Sequence, residues 1–211
     1  MPPVMLEARQ LTAQRGERLL FANLDLRLEQ GQALWLKGRN GSGKTTLLRI
    51  LAGLHQPREG GVYWQTAPLT TGLATTSYLG HRNGLKDDLS PSENLHHACR
   101  LQGLAVTETA IEVALAQVGL DPLVQELPCR LLSQGQQRRV ALARLLLEQR
   151  PLWLLDEPFV GLDDQAVARF LDHLRHHLAQ GGLLVLTTHQ PLDAASLGVP
   201  LAELQLSPQF H

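Results

Sequence analysis

The stretch LWLKGRNGSGKTTLLRIL, residues 34–51, decides the fold of this chain. Its apolar start favours a strand, its glycine-rich middle a loop, and its leucine-rich end a helix. The spacing from Gly38 to Gly43, Lys44 and Thr45 matches the phosphate-binding pattern G-x-x-x-x-G-K-[ST]. Glycines let a loop turn its amides toward phosphate oxygens, and the N-terminus of the following helix attracts the same anion. The stretch therefore predicts a phosphate-binding loop between a strand and a helix.

Within this loop the side chains have distinct predicted tasks. Lys44 supplies a positive charge for the β and γ phosphates of a nucleotide, and the Thr45 hydroxyl can ligate the accompanying Mg²⁺. The alternative that this stretch alone leaves open is a turn whose glycines bind nothing. The nucleotide contacts predicted for the loop are Gly38, Arg39, Asn40, Gly41, Ser42, Gly43, Lys44, Thr45 and Thr46.

Composition limits the class of protein. The chain has 211 residues, of which 44% are hydrophobic and 18% charged, with a net charge of -1, so nothing in it attracts nucleic acid globally. Cys99 and Cys129 are far apart, and we expect two buried thiols rather than a zinc or covalent haem site. We expect no signal peptide, and no apolar run approaches the roughly 20 residues that span a bilayer. Any membrane role must therefore come through a partner.

Apolar periodicity predicts an α/β protein with a parallel sheet. Residues 4–12 and 19–28 alternate apolar and polar side chains, which favours two strands. From about residue 89 to 119 the pattern becomes helical, and we expect Ser92 to cap the first of these helices. Further along, short apolar strands alternate with helices, which favours a parallel sheet with functional residues at the strands' carboxyl ends.

Polar residues follow two of the predicted buried strands. The run 152–155 ends at Asp156 and Glu157, and a second strand ends just before His189. Asp156 can hold Mg²⁺ opposite Thr45. Glu157 is a candidate general base for the water that attacks the γ-phosphate, and His189 can hydrogen-bond that phosphate or the water. With Lys44, these two residues form the predicted catalytic set.

The whole chain resembles the ATP-binding cassette (ABC) ATPases. The resemblance implies a P-loop NTPase fold of ABC type: a mostly parallel core sheet, an N-terminal antiparallel β subdomain, and a helical subdomain inserted at about residues 84–140 of a single domain, 1–211. Besides the phosphate loop, the stretches that carry it are LSQGQQRRVALARLL (132–146), similar to the signature motif; PLWLLDEP (151–158), similar to Walker B and the catalytic glutamate; GLDD (161–164), similar to the D-loop; and LTTHQP (186–191), similar to the switch-histidine loop.

The signature stretch implies a partner. Ser133 and Gly135, at a helix N-terminus, offer a hydroxyl and amides suited to a phosphate. In the family that phosphate belongs to ATP on a second subunit, so the resemblance implies a head-to-tail dimer of two copies that enclose two ATP molecules. It adds Gln136 and Asp163 to the nucleotide contacts. A simple helix cap is the alternative role for this stretch.

Three positions depart from the family pattern. His81 stands where most members have the Q-loop glutamine, and it is a candidate metal contact whose imidazole is shorter than the glutamine side chain. Arg15 stands where an aromatic side chain stacks on adenine. Its planar guanidinium can stack on a base, and an exposed turn arginine is the alternative. Gln134 replaces the first glycine of the signature.

Within the family the strongest likeness is to the ATP-binding subunits of haem exporters in cytochrome c maturation, carried by YLGHRNGLK (78–86) and LTTHQPL (186–192). This likeness implies an energy-coupling subunit that uses ATP and Mg²⁺. It would lie at the cytoplasmic face of the bacterial inner membrane, held there by integral membrane permease subunits, with no nucleic acid partner. The alternatives are the ATPase of another small ABC transporter and a soluble, non-transport ABC ATPase. A non-hydrolysing cassette is disfavoured, because the catalytic set is complete.

Several histidines fall on predicted helices and invite assignment as haem ligands. No CxxCH motif or buried ligand pair supports that role, so we expect solvated helix faces. These histidines are His96, His97, His173, His176 and His177.

Overall fold

Two β-sheets organise the computed structural model, which describes residues 4–69 and 74–207. Residues 1–3, 70–73 and 208–211 of the predicted domain lie outside the described residues. The strands are β1 (Val4–Arg15), β2 (Arg18–Glu29), β3 (Ala33–Gly38), β4 (Glu59–Trp64), β5 (Ala67–Pro68), β6 (Thr76–Leu79), β7 (Leu152–Asp156), β8 (Leu183–Thr187) and β9 (Leu201–Leu206). The α-helices are α1 (Lys44–Leu51), α2 (Pro91–Leu101), α3 (Glu108–Gln117), α4 (Gln134–Glu148), α5 (Asp164–Ala179) and α6 (Ala194–Leu197), with 3₁₀ turns at Pro122–Val124 and Cys129–Leu131.

The larger sheet has five parallel strands in the order β6-β7-β8-β3-β9. Its central strands are covered on both faces, as a parallel sheet requires. In β7, Leu152 and Leu154 pack with α1 and the smaller sheet, whereas Trp153 and Leu155 pack with α4 and α5. The parallel core predicted from the apolar runs is therefore confirmed, although β9 and α6 had no recognised signal.

The smaller sheet is antiparallel, in the order β2-β1-β4-β5, as the family resemblance implies. Its alternation is interrupted at Asn23, which has a positive φ of 50°. The register shifts there, because Leu11 pairs with Leu24 but Ala13 pairs with Phe21. The extra residue on β2 turns Phe21 into the core. A strict alternation of inward and outward side chains along β2 would place Ala22 in the core instead of Phe21, and that expectation is wrong.

Helices α2 and α3 follow β6 along the chain and precede α4 and β7. The start of α2 differs from the prediction, because its cap is Ser90 and not Ser92. Ser90 Oγ accepts the Glu93 amide at 3.3 Å, and Glu93 Oε2 accepts the Ser90 amide at 2.8 Å. Pro91 fits the first helical position, where no amide donor is needed. The predicted end of the helical subdomain at about residue 140 falls inside α4, which continues to Glu148. The subdomain boundaries, 84–140, therefore stay a prediction.

None of the helices in the described ranges is long and apolar enough to cross a bilayer.

Candidate active site

A cleft of about 490 Å³ opens at the carboxyl edge of the parallel sheet, where β3 and β7 end. The hairpin of β1 and β2 borders it on one side. Most of the residues predicted from the sequence meet here. Those that line the cleft are Arg15, Asn40, Gly41, Gly43, Lys44, Thr45, Thr46, His81, Asp156, Glu157 and His189, together with Arg18, Leu20 and Val160, which the sequence did not single out.

The phosphate loop wraps tightly at its start. A Cβ on Gly38 would lie 2.5 Å from the Leu206 carbonyl oxygen and from Ser42 Oγ, so only glycine fits this position. Ser42, a residue of the loop, is itself buried. Lys44 Nζ donates to the carbonyl oxygens of Gly38 at 2.7 Å and Arg39 at 3.3 Å. The ammonium group is thus held against the loop, where phosphate oxygens would bind.

Helix α1 directs its N-terminus into the same cleft. Gly43 is its N-cap, with a φ of 100°, and no described side chain caps the first turn. The first turn also contains no acidic residue that would compete for its amides. The free amides and the positive end of the helix dipole therefore face a bound anion.

Asp156 is the centre of a small oxygen cluster beside the loop. Its Oδ2 accepts a hydrogen bond from Thr45 Oγ1 at 2.6 Å, and its Oδ1 accepts one from Thr187 Oγ1 at 2.7 Å. Asp156 and Thr187 are register partners at the ends of β7 and β8, which explains the second bond. A hydroxyl and a carboxylate are oxygen ligands of the kind that Mg²⁺ takes in phosphate sites, where waters and substrate oxygens complete the coordination.

Glu157 is held in a strained backbone conformation. Its φ is 52°, in the left-handed region that non-glycine residues rarely adopt, at a cost of roughly 1–3 kcal/mol. Its amide donates to Thr187, at 3.2 Å to the carbonyl oxygen and 3.0 Å to Oγ1. Such strain persists only where the surroundings fix it, and it is typical of functional sites.

The Glu157 carboxylate is turned toward His189. Its Oε2 accepts the His189 amide at 3.2 Å, and its Oε1 lies 3.5 Å from His189 Nε2. Oε1 accepts no hydrogen bond from any described residue. The Glu157 side chain is 14% exposed and that of His189 69%. A shielded carboxylate with one free acceptor oxygen, beside an accessible imidazole, is suited to holding a water molecule.

The rim of the cleft is cationic. Arg15 and Arg18 are register partners across the β1–β2 turn, and both line the cleft with Leu20. His81, in the loop after β6, also lines the cleft and is exposed. Arg15 and His81, two of the three departures from the family pattern, thus both lie at the cleft.

The signature residues lie outside this lining. Ser133 Oγ accepts the Gln136 amide at 3.2 Å, and Gln136 Oε1 accepts the Ser133 amide at 2.8 Å, so the pair caps α4. Gly135 packs so closely on Gly161 that a Cβ would collide with the Gly161 carbonyl oxygen. Asp163 caps α5. The site within one chain therefore lacks the contacts predicted for Ser133, Gly135, Gln136 and Asp163.

Two supporting residues were missed. Thr187 orients Asp156 and the Glu157 amide. Its position at the end of β8, next to the strand that ends at Asp156, could have indicated this role. Arg138 is buried, 3% exposed, and binds the backbone around Glu157. Its neighbour Arg139 has the same side chain, so the sequence offers no sign of which arginine points inward.

The cysteines and helix histidines had mixed outcomes. Cys99 and Cys129 are buried free thiols, as predicted, and burial raises the pKa of both. His177 does not lie on a solvated face. Its ring stacks on Trp153 with centroids 4.2 Å apart, and Nε2 lies 3.1 Å from the Leu183 carbonyl oxygen. Burial lowers the pKa of His177 to about 4. The expectation fails here because α5 turns this side chain toward β7.

Comparison with known proteins gives one family. Residues 21–160 match the family model described as ABC transporter. The cytochrome c biogenesis ATP-binding export protein CcmA of Dechloromonas aromatica is 50% identical over 193 residues, which is 90% of this chain and 94% of the relative. The protein of the same name from Pseudomonas fluorescens is 48% identical over 202 residues, covering 94% and 95%.

Solved structures share the fold. A dimeric ATP-binding cassette in a post-hydrolysis state with ADP and inorganic phosphate superposes with a TM-score of 0.83, at 22% identity, over 96% of each chain. The parallel sheet, the antiparallel sheet and the helices are thus those of an ABC cassette, as predicted. The chain belongs to the ATP-binding ATPases of the ABC transporter family.

Proposed function

We propose that this chain is the ATP-hydrolysing, energy-coupling subunit of a membrane complex that handles or exports haem in c-type cytochrome biogenesis. The observation that supports it best is the convergence of Lys44, Thr45, Asp156 and Glu157 in one cleft. Relatives named for cytochrome c biogenesis export match nearly the whole chain and supply the biological setting.

The phosphate loop would hold the triphosphate of ATP. The amides at the start of α1 and the Lys44 ammonium favour the β and γ phosphates. Thr45 and Asp156 would hold Mg²⁺, which neutralises charge on those phosphates. Because Asp156 is fixed by two hydroxyls, its carboxylate needs little reorganisation to take this role.

Glu157 would act as the general base. Its carboxylate takes a proton from a water molecule while the water oxygen forms a bond to the γ-phosphorus. The bond from that phosphorus to the bridging oxygen breaks, and the electron pair leaves with ADP. His189, beside Glu157, can donate a hydrogen bond to the γ-phosphate. The predicted catalytic roles of Glu157, His189 and Lys44 thus have a consistent geometry.

A second copy of the chain would complete each site. Ser133 is exposed at the start of α4 and does not line its own chain's cleft, although its hydroxyl and the nearby amides suit a phosphate. A head-to-tail dimer would bring Ser133, Gly135, Gln136 and Asp163 to the ATP of the other copy. The dimeric state of the related cassette supports this arrangement.

Integral membrane subunits would transmit the motion. ATP binding would close the dimer, hydrolysis would reopen it, and permease subunits docked near His81 would move with it. The chain would then be held peripherally at the cytoplasmic face of the bacterial inner membrane. The relatives named as ATP-binding export proteins of cytochrome c biogenesis support this setting.

The decisive experiment is Glu157→Gln in the full chain. We expect ATP hydrolysis to fall by at least about 100-fold, in keeping with the loss of a general base. ATP affinity should persist, and size-exclusion chromatography with ATP should show a stable dimer. Hydrolysis at the parent rate would remove Glu157 from its role.

The membrane setting has its own experiment. A tagged Glu157→Gln chain, purified from detergent-solubilised membranes of its host, should bring integral membrane subunits with it. In a host that lacks the gene for this chain, covalent haem attachment to c-type cytochromes should fail. The parent chain should restore it, and the Glu157→Gln chain should not. Normal c-type cytochromes in that host would favour another transporter or a non-transport ATPase.

A further inference from the structure

Arg138, in the second turn of α4, is a buried cation whose five N–H donors are all used. Burial of a charged group is unfavourable unless its partners are complete. The bonds are Nε to Pro158 O at 3.1 Å, Nη1 to Gly80 O at 3.0 Å and Asn83 Oδ1 at 3.0 Å, and Nη2 to Asp156 O at 2.9 Å and Glu157 O at 2.7 Å.

The guanidinium remains charged at neutral pH. Burial lowers the pKa of Arg138 to about 10, while the carboxylates of Asp156 and Glu157 act in the opposite direction. A lysine here could donate at most three hydrogen bonds and lacks the planar fork. The five-acceptor arrangement is therefore specific to arginine.

Three of the five acceptors belong to the segment that contains the predicted base. The carbonyl oxygens of Asp156 and Glu157 lie on either side of the Glu157 Cα, so Arg138 fixes both peptide planes at that residue. These planes set the unusual φ of 52° and hence the direction of the Glu157 side chain. The Pro158 carbonyl extends the restraint by one residue.

The other two acceptors tie the loop of His81 to the same guanidinium, through Gly80 and Asn83. The helix that carries Arg138 begins at the Ser133 cap. One side chain thus connects the signature helix, the loop after β6 and the backbone of the base. No other described residue joins these three segments through a single group.

We infer that Arg138 is a positioning residue for ATP hydrolysis, which holds the Glu157 backbone so that its carboxylate faces the attacking water. The inference rests on the proposed function of Glu157 as the base. Arg138 does not itself line the cleft, and none of its five hydrogen bonds reaches the phosphate loop, so it acts on turnover and not on nucleotide binding.

The test compares Arg138→Lys and Arg138→Gln with the parent chain. We expect kcat to fall about 10- to 100-fold, because small misplacements of a catalytic group are costly. KM and the calorimetric Kd for ATP should change less than about threefold. In a Glu157→Gln background, Arg138→Lys should cause no further loss, because the group that it positions is already absent.

The matched control is Arg144→Lys, on the same helix. Arg144 donates to the Tyr78 carbonyl oxygen at 2.7 Å and lies 3.2 Å from Glu148 Oε1, away from residues 156–158. It should lower the Tm but leave kcat within about twofold. An equal loss of kcat in the control would show a purely structural effect and overturn the inference.

Parent kcat in a folded Arg138→Lys chain would also overturn it. If Arg138→Gln fails to fold, Arg138→Lys, which keeps the charge, decides the question. A parent chain without ATPase activity, or an active Glu157→Gln chain, would instead contradict the proposed function.

Discussion

The Thr45 hydroxyl donates a 2.6 Å hydrogen bond to Asp156 Oδ2, joining residues 111 positions apart. The bond connects the first turn of α1 to the end of β7. It fixes the separation of the two oxygen ligands proposed for Mg²⁺ before any ligand binds. The site is therefore organised by the fold and not only by the nucleotide.

The first prediction concerns this pair. Thr45→Val removes a hydroxyl at nearly constant shape. We expect the Mg²⁺ concentration that gives half-maximal hydrolysis to rise about 10- to 100-fold, because the variant loses an oxygen that bonds a charged group or ligates the metal. Thr45→Ser, which keeps the hydroxyl, is the control. Identical Mg²⁺ dependence in the valine and serine variants would exclude a metal contact for Thr45.

A second prediction concerns Lys44. Its ammonium lies against the loop carbonyls, so Lys44→Ala should weaken ATP binding about tenfold or more, measured by calorimetry with catalysis blocked by Glu157→Gln. Lys37→Ala is a matched control, because Lys37 pairs with Glu203 at 2.6 Å and does not line the cleft. Unchanged affinity for Lys44→Ala would contradict the phosphate cradle.

A third prediction addresses the base of the nucleotide. If Arg15 stacks on adenine, Arg15→Tyr should keep ATP affinity within about threefold, whereas Arg15→Gln should lower it several-fold. Arg27→Gln, at an exposed position on β2, controls for loss of positive charge. Equal affinities for the glutamine variant and the parent would show that Arg15 is only an exposed turn residue.

The core of the fold and most of the cleft could be predicted because their signals are local. An apolar run ending in Asp156 must be a strand buried on both faces, and its carboxyl end must meet the phosphate loop at one edge of the sheet.

The missed features depend on a partner segment. Burial of Phe21 in place of Ala22 follows from a bulge whose register is set by β1. The inward turn of Arg138 follows from the positions of carbonyls on two other segments, which helix periodicity does not contain. The ring of His177 is likewise covered by Trp153 of β7, and not by its own helix.

The last prediction is a pH dependence that comes from this half-buried histidine. The pKa of His177 is about 4 in the folded chain, against 6.5 for an ordinary histidine. As the pH falls below 6.5, the unfolded chain binds a proton that the folded chain does not. The stability that His177 contributes is therefore complete above pH 6.5 and is lost toward pH 4, by up to about 3 kcal/mol.

Urea unfolding between pH 7.5 and 4.5 measures this loss. His177→Phe keeps a ring against Trp153 but cannot be protonated, so its free energy of unfolding should fall less on acidification than that of the parent. His55→Gln, at an exposed position outside α5, should retain the parent slope. Exposed carboxylates contribute equally to all three chains, so the difference between curves reports His177 alone. Parallel curves for parent and His177→Phe would mean that His177 is protonated within the fold, against the burial that its stacking on Trp153 creates.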